Sequence, residues 1–404
     1  MSRPELETVR SIGWIVARGC AQALEFLAWI VFARSLGPSA VSLLAIAAIA
    51  ARLLGLLGDW GATRRGPRDV AAHGRGSPVV ASLVRRREFF SVSLAIAMGI
   101  VLLVAGRAFL LPISLVVVAR GANRDWIALG EGRRTRSALP LLVQGAVVLC
   151  LAVVTPATVA AGAFALGVGN AAGLLLSRCL SPVPTAQSGR SVAVDAWYLL
   201  AGVADQVTAA AGTVLLLVMR NDQQAGVYNT VNRLPLVWLT GVGLSVIAAI
   251  PRVTRLSRRV GYDTSLLHRK ADQLALVLPI FVVPIAGLAL IFIEPVLGPE
   301  FESGRNAMLL LFGAAAITTA SAPYRVLIIA SGSDRLFGLA TVVVAGSCTI
   351  CTFVLSPRWG MAGAALGALT AQLVMLVVLI LWSVRNRHYR PHADGALTAP
   401  LGST

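Results

Sequence analysis

The stretch IGWIVARGCAQALEFLAWIVFARSLGPSAVSLLAIAAIAARLLGLLG, residues 12–58, contains two apolar runs separated only by Arg34-Ser35-Leu36-Gly37-Pro38. Each run has the roughly 20 residues that a helix needs to cross the hydrocarbon of a bilayer. They are continuously apolar and rich in Ala, Leu and Gly, without the alternation that marks an outer-membrane strand. Helices satisfy their own backbone polar groups, as lipid requires. The pattern recurs along the chain, at 88–106, 108–130, 137–155, 157–177, 193–219, 226–250, 273–294, 306–331, 335–355 and 361–383. With 12–33 and 38–58 this predicts an all-α, polytopic membrane protein of about twelve transmembrane helices.

The bulk numbers agree. Of 404 residues, 57% are apolar and 13% charged, and the mean hydropathy is +0.78. A soluble chain is about a quarter charged. The formal charge of +17 is nearly all arginine, Lys270 being the only lysine. Its distribution is ordered: every second connection is basic, with Arg64, Arg65, Arg68, Arg75 and Arg85 to Arg87 before the third span. Arg133, Arg134 and Arg136 precede the fifth, Arg178 and Arg190 the seventh, and Arg252, Arg255, Arg258, Arg259, Arg269 and Lys270 the ninth. Arg385, Arg387 and Arg390 follow the last, while the intervening connections are short and carry about one Arg each. The positive-inside rule puts both termini and the basic loops in the cytoplasm, with membrane lipids as partners of those loops. No aromatic and basic interleaving supports nucleic acid as a partner.

The polar stretch 178–190 divides the spans into two sets of six. This predicts an N-terminal lobe at 1–185, a C-terminal lobe at 186–385 and a cytoplasmic tail at 386–404. Each lobe has a long basic loop between its second and third spans, 59–87 and 251–272, a spacing typical of transporters built from repeats. Gly169 with Gly173, and Gly363 with Gly367, are small pairs at spacing four that let helices approach closely.

Charges inside spans carry the functional reading, because each costs several kcal/mol in lipid unless it faces protein or water. They are Arg18, Glu25, Arg52, Arg120, Arg124, Asp125, Asp205, Arg233 and Arg325, with Asp59 and Asp195 at helix ends. Arg18 and Glu25 are seven apart and share a face, as do Arg120 with Arg124 and Asn229 with Arg233 at spacing four. Arginines outnumber acids, so a wet cavity lined by them would favour an anion, and the guanidinium fork suits phosphate. Arg18, Arg120, Arg124, Asn229, Arg233 and Arg325 are thus the candidate substrate-binding residues. Glu25 and Asp205 are the candidates for coupling a cation or proton. The competing reading pairs Arg18 with Glu25, and Arg124 with Asp125 or Asp205, and lets Arg52 snorkel to an interface near Asp59.

Soluble-enzyme chemistry finds no support. His73, His268, His388 and His392 fall in expected loops or the tail without metal-ligand spacing. No phosphate-binding loop occurs, and Cys348-x-x-Cys351 inside an apolar run reads as packing. Neither a metal nor another cofactor is expected.

Ala33-Arg34-Ser35-Leu36-Gly37-Pro38, then Asp59-Trp60-Gly61-Ala62 leading to Arg68-Asp69-Val70-Ala71, resembles the opening of bacterial polysaccharide flippases. These are the O-antigen (Wzx-type) members of the multidrug/oligosaccharidyl-lipid/polysaccharide exporter superfamily. Ala225-Gly226-Val227-Tyr228-Asn229 with Arg233-Leu234, Ile250 to Leu256, Leu297-Gly298-Pro299-Glu300-Phe301, and Pro357 to Ala365 fit the same pattern in the same order. The resemblance implies two six-helix lobes around a central cavity, in a bacterial plasma membrane. It further implies alternating-access flipping of an undecaprenyl-diphosphate-linked oligosaccharide, alongside glycosyltransferases and a polymerase. Three alternatives stay open: a peptidoglycan-precursor flippase, a cation-coupled multidrug exporter of the same fold, and a membrane-embedded glycosyltransferase or polymerase.

Overall fold

The computed structural model describes residues 3–63, 66–67, 70, 74–183, 196–219, 221–257 and 264–386. The expected lobe boundary and the tail lie outside the described residues. Every regular element among the described residues is a helix. The helices are α1 (Arg3–Asp59), α2 (Pro78–Val104), α3 (Ser114–Ala122), α4 (Asp125–Gly130), α5 (Arg134–Val154) and α6 (Val159–Leu180). They continue with α7 (Ala196–Val218), α8 (Asp222–Ser257), α9 (Thr264–Val277), α10 (Val282–Leu297), α11 (Arg305–Ala330) and α12 (Asp334–Asn386).

Among the described residues nine helical stretches are long and apolar enough to cross a membrane. Two of them double back. Gly37 at φ 74° folds α1 into two arms, and Gly360 at φ 54° does the same to α12. Both need a positive φ that a side chain resists. A further crossing is broken into the 3₁₀ turn Ala108–Ile113, α3 and α4, too short piecewise to count as one helix. Doubling the two folded helices and adding the broken one gives the twelve crossings expected.

The first six crossings pack on one another and the last six likewise. Glycines set the spacing: Gly169 and Gly173 of α6 lie against Val148, Gln144 and Pro140 of α5. Gly363 and Gly367 of one arm of α12 lie against Leu355, Ser356 and Thr352 of the other. Large apolar side chains point outward as a lipid-facing surface, among them Phe89, Ile96, Val104, Phe281 and Phe353.

The lobes meet chiefly where α1 packs along α8 and α7. At the Gly37 end, Gly226 of α8 lies so close to the Pro38 carbonyl that a Cβ there would overlap it. At the opposite, Asp59 end, Leu56 sits on Gly202 of α7, and Leu244 of α8 joins Trp14 and Ala138 in a small apolar cluster. The lobes are thus in apolar contact at both ends.

One boundary differs from the sequence reading in a way that matters. The third crossing starts at Pro78 rather than near 88, because Ser77 caps it, its Oγ accepting from Val80 N, and proline occupies the first turn. Arg85, Arg86 and Arg87 are therefore helical residues, not loop residues. His268 also departs from the solvated loop expected of it. It lies on α9, 7% exposed, with Nδ1 2.7 Å from Ser383 Oγ.

Candidate substrate site

Small residues build the site's frame. Gly55 and Gly58 on the second arm of α1, Gly121 on α3 and Ser91 on α2 bring three helices into contact with almost no side chain between them. Gly55 lies directly against the Cβ of Arg120, and Arg52 is one turn before Gly55 on the same arm. On the first arm, Glu25 accepts from Arg52 Nη2, so the ion pair spans the hairpin of α1. From the other lobe Arg233 of α8 reaches the same carboxylate, Nη1 to Oε1 at 3.8 Å. Its guanidinium lies 3.8 Å from the Trp29 ring centroid, a cation–π contact.

Arg120 stands beside this group on α3, its Cβ against Gly55, one turn after Arg52. It has no carboxylate within ion-pair distance among the described residues, and its side chain is exposed, whereas Arg233 is 8% exposed. Glu25 thus serves Arg52 and Arg233 with Arg120 beside them, while the nearest other acids, Asp59 and Asp125, pair with Arg87 and Arg18, leaving arginine in excess between the lobes. Two further donors lie on the same helices, Asn229 Nδ2 one turn before Arg233 and Trp29 Nε1, both buried and without an acceptor among the described residues. The local chemistry is all donor and cation apart from Glu25, suiting a ligand rich in acceptor oxygens.

The other sequence candidates go elsewhere. Arg18 does not meet Glu25. Its Nη2 lies 2.5 Å from Asp125 Oδ2, and its guanidinium carbon is 5.0 Å from the Trp14 ring centroid. Arg120 and Arg124 do not share a helix face, because the crossing breaks at Asn123 and Arg124, where the backbone turns to φ −113°, ψ 14°. Arg124 then points to Glu88, Nη2 to Oε1 at 2.7 Å, and Arg178 lies 3.2 Å from the same oxygen. Arg52 does not snorkel toward Asp59, which instead accepts from the 2%-exposed Arg87. Asp205 on α7 and Arg325 on α11 are half-buried in the second lobe.

Sequence reasoning missed Arg87, Glu88 and Trp29. The Ser77-Pro78 helix start would have exposed the first two by placing them on a helix. Trp29 carries no signal without the fold, being one aromatic among many apolar residues.

No family model and no curated protein matches the chain by sequence. Solved structures do match by shape. The MATE multidrug transporter DinF-BH has a TM-score of 0.65 at 16% identity, over 96% of each chain. A MATE protein in complex with MaD3S has 0.59 at 18% identity over 96% of each chain. An outward-facing multidrug resistance MATE transporter of the MOP superfamily has 0.56 at 16%, again over 96% of each. The chain is a multi-pass membrane protein with the fold of the MATE transporters.

Proposed function

We propose that this protein is a flippase that carries an undecaprenyl-diphosphate-linked oligosaccharide across the bacterial plasma membrane for surface polysaccharide synthesis. The observation that carries the proposal is the excess of Arg52, Arg120 and Arg233 over Glu25 at the junction of the two lobes. A diphosphate offers the acceptor oxygens and negative charge that this group lacks, and two guanidinium forks can each take it in two bonds. The polyprenyl tail stays in lipid while the headgroup passes between the lobes. The lobe contacts at the Pro38 and Leu56 ends are the places where the path opens in turn. Glu25 is the group whose protonation, or exchange of its arginines for substrate, couples the cycle, with Asp205 a second candidate. Arg18, Arg124 and Arg325 act as supports of the helices around the path. Both termini lie in the cytoplasm, by the placement of the basic loops, and glycosyltransferases and a polymerase act before and after this step.

A second reading, cation-coupled drug export, is favoured by the multidrug transporters among the structural matches. An acid-lined pocket suits cationic drugs, and the central group here is cationic. Reconstitution into liposomes with a fluorescent undecaprenyl-diphosphate-linked sugar decides between them. Arg120→Gln and Arg233→Gln should abolish sugar translocation while the protein still inserts. Normal translocation by both variants, or drug resistance conferred by the wild type without sugar translocation, defeats the flippase reading.

A further inference from the structure

We infer that the lateral face of the first lobe at its Asp59 end binds one anionic phospholipid, held by Arg124 and Arg178. Two guanidinium groups from different helices converge there on one oxygen of Glu88, Arg124 at 2.7 Å and Arg178 at 3.2 Å. Among the described residues one positive charge is left uncompensated. The neighbouring carboxylates are committed elsewhere: Asp125 to Arg18, and Asp59 to Arg87 and to Thr63 N and Oγ1. The Nε atoms of both Arg124 and Arg178 are buried without an acceptor. Ser177 Oγ accepts from Arg124 N at 3.3 Å and so fixes the broken crossing against α6. Exposed Arg85 and Arg86 lie one turn before Glu88, toward the membrane surface.

The apolar surroundings choose the ligand. Val92 and Ile96 follow Glu88 on one face of α2 and are 43% and 58% exposed, with Phe89 at 69% beside them. On α6, Leu175 is one turn deeper than Arg178 and 63% exposed. Trp60 and Phe90, with ring centroids 4.7 Å apart, lie at this end of the lobe, and aromatic residues of this kind gather at membrane interfaces. A cationic pair at headgroup depth thus sits directly outside a lipid-facing apolar strip running toward the middle of the membrane. A phosphodiester headgroup with two acyl chains fills both parts, whereas free phosphate fills only the first. Basic pockets between helices at this depth take anionic headgroups in other membrane proteins.

The test uses the full chain, delipidated in detergent, with bound lipid counted by native mass spectrometry. Phosphatidylglycerol, phosphatidylcholine and inorganic phosphate are added in separate arms. The wild type should retain one phosphatidylglycerol and discriminate against phosphatidylcholine. Arg178→Gln should weaken retention about fivefold, the factor that about 1 kcal/mol per basic residue gives. Glu88→Gln, which removes the competing carboxylate, should tighten it. Should Arg178→Gln not fold, Arg178→Lys keeps the charge without the fork and should bind at an intermediate level. Equal retention of both lipids, tightness unmoved by any of these changes, or displacement of phosphatidylglycerol by millimolar phosphate would overturn the assignment. None of these readouts involves sugar translocation, so failure here leaves the flippase proposal standing.

Discussion

Arg233 Nη1 lies 3.8 Å from Glu25 Oε1, an ion pair that joins α8 of one lobe to α1 of the other near the middle of their crossings. Glu25 also accepts from Arg52, so one carboxylate neutralises part of two arginines that are themselves largely buried. Removing one member of such a group strands the others, a cost of about 3–5 kcal/mol. Glu25→Gln should therefore lower the thermal unfolding temperature sharply, and Arg52→Gln in the same chain should restore part of it. A double-mutant cycle reads the coupling directly. If the two losses simply add, the residues do not act as a unit.

Arg87 illustrates a charge with a structural task only. It is 2% exposed, donates to Asp59, and lies with its guanidinium carbon 5.3 Å from the Trp126 ring centroid. Arg87→Met should cost about 3–5 kcal/mol by leaving Asp59 unpaired. Asp59→Asn combined with Arg87→Met removes both charges and should recover most of that loss. The measurement is detergent unfolding monitored by tryptophan fluorescence. Translocation per folded molecule should stay near the wild-type rate in the double variant.

Gly226 of one lobe lies against the Pro38 carbonyl of the other, and any side chain there meets it. Gly226→Ala should cost about 1–3 kcal/mol through overpacking, since two backbones cannot both yield. The same change should make this end easier to open. Cysteines placed at the buried Ser42 and Thr230, one turn from Pro38 and Gly226, and probed with a membrane-impermeant maleimide should label faster in Gly226→Ala than in its absence. Unchanged labelling would mean that this contact does not hold the lobes together.

The twelve crossings were legible because lipid admits few solutions: an apolar run of sufficient length that must satisfy its own backbone becomes a helix. Gly37-Pro38 was readable as a sharp connection for the same reason. Pairings were not. Arg18 and Glu25 share a helix face, yet Arg18 chose Asp125, which arrives from a crossing 107 residues later. Arg120 and Arg124 looked like a face of one helix until Asn123 broke it. Spacing along a helix predicts direction but not which neighbouring helix comes to meet it. Arg52, expected at an interface, instead meets Glu25 together with Arg233. The candidates at Arg18 and Arg124 were absorbed by carboxylates on other elements.

Arg120 offers the cleanest separation of binding from stability. Arg120 has no carboxylate partner among the described residues and adds to an already cationic group, so Arg120→Gln strands no charge and should leave the unfolding temperature within about a degree or two. Arg120→Lys keeps the charge but replaces a planar fork with a single ammonium. If the group holds a diphosphate by paired bonds, lysine should restore only a small part of the translocation lost with glutamine. If the residue supplies positive potential alone, lysine should restore nearly all of it. Raising the salt then discriminates further. A purely coulombic contribution at an exposed site shrinks as the screening length falls from about 10 Å at 0.1 M to about 3 Å at 1 M. A bidentate contact inside a closed path is screened far less. Liposome assays of wild type, Arg120→Lys and Arg120→Gln at both salt levels should give a lysine variant close to the glutamine one under each condition. A lysine variant matching wild type at low salt would reduce Arg120 to an attractive charge and move the search for the diphosphate fork to Arg52 and Arg233.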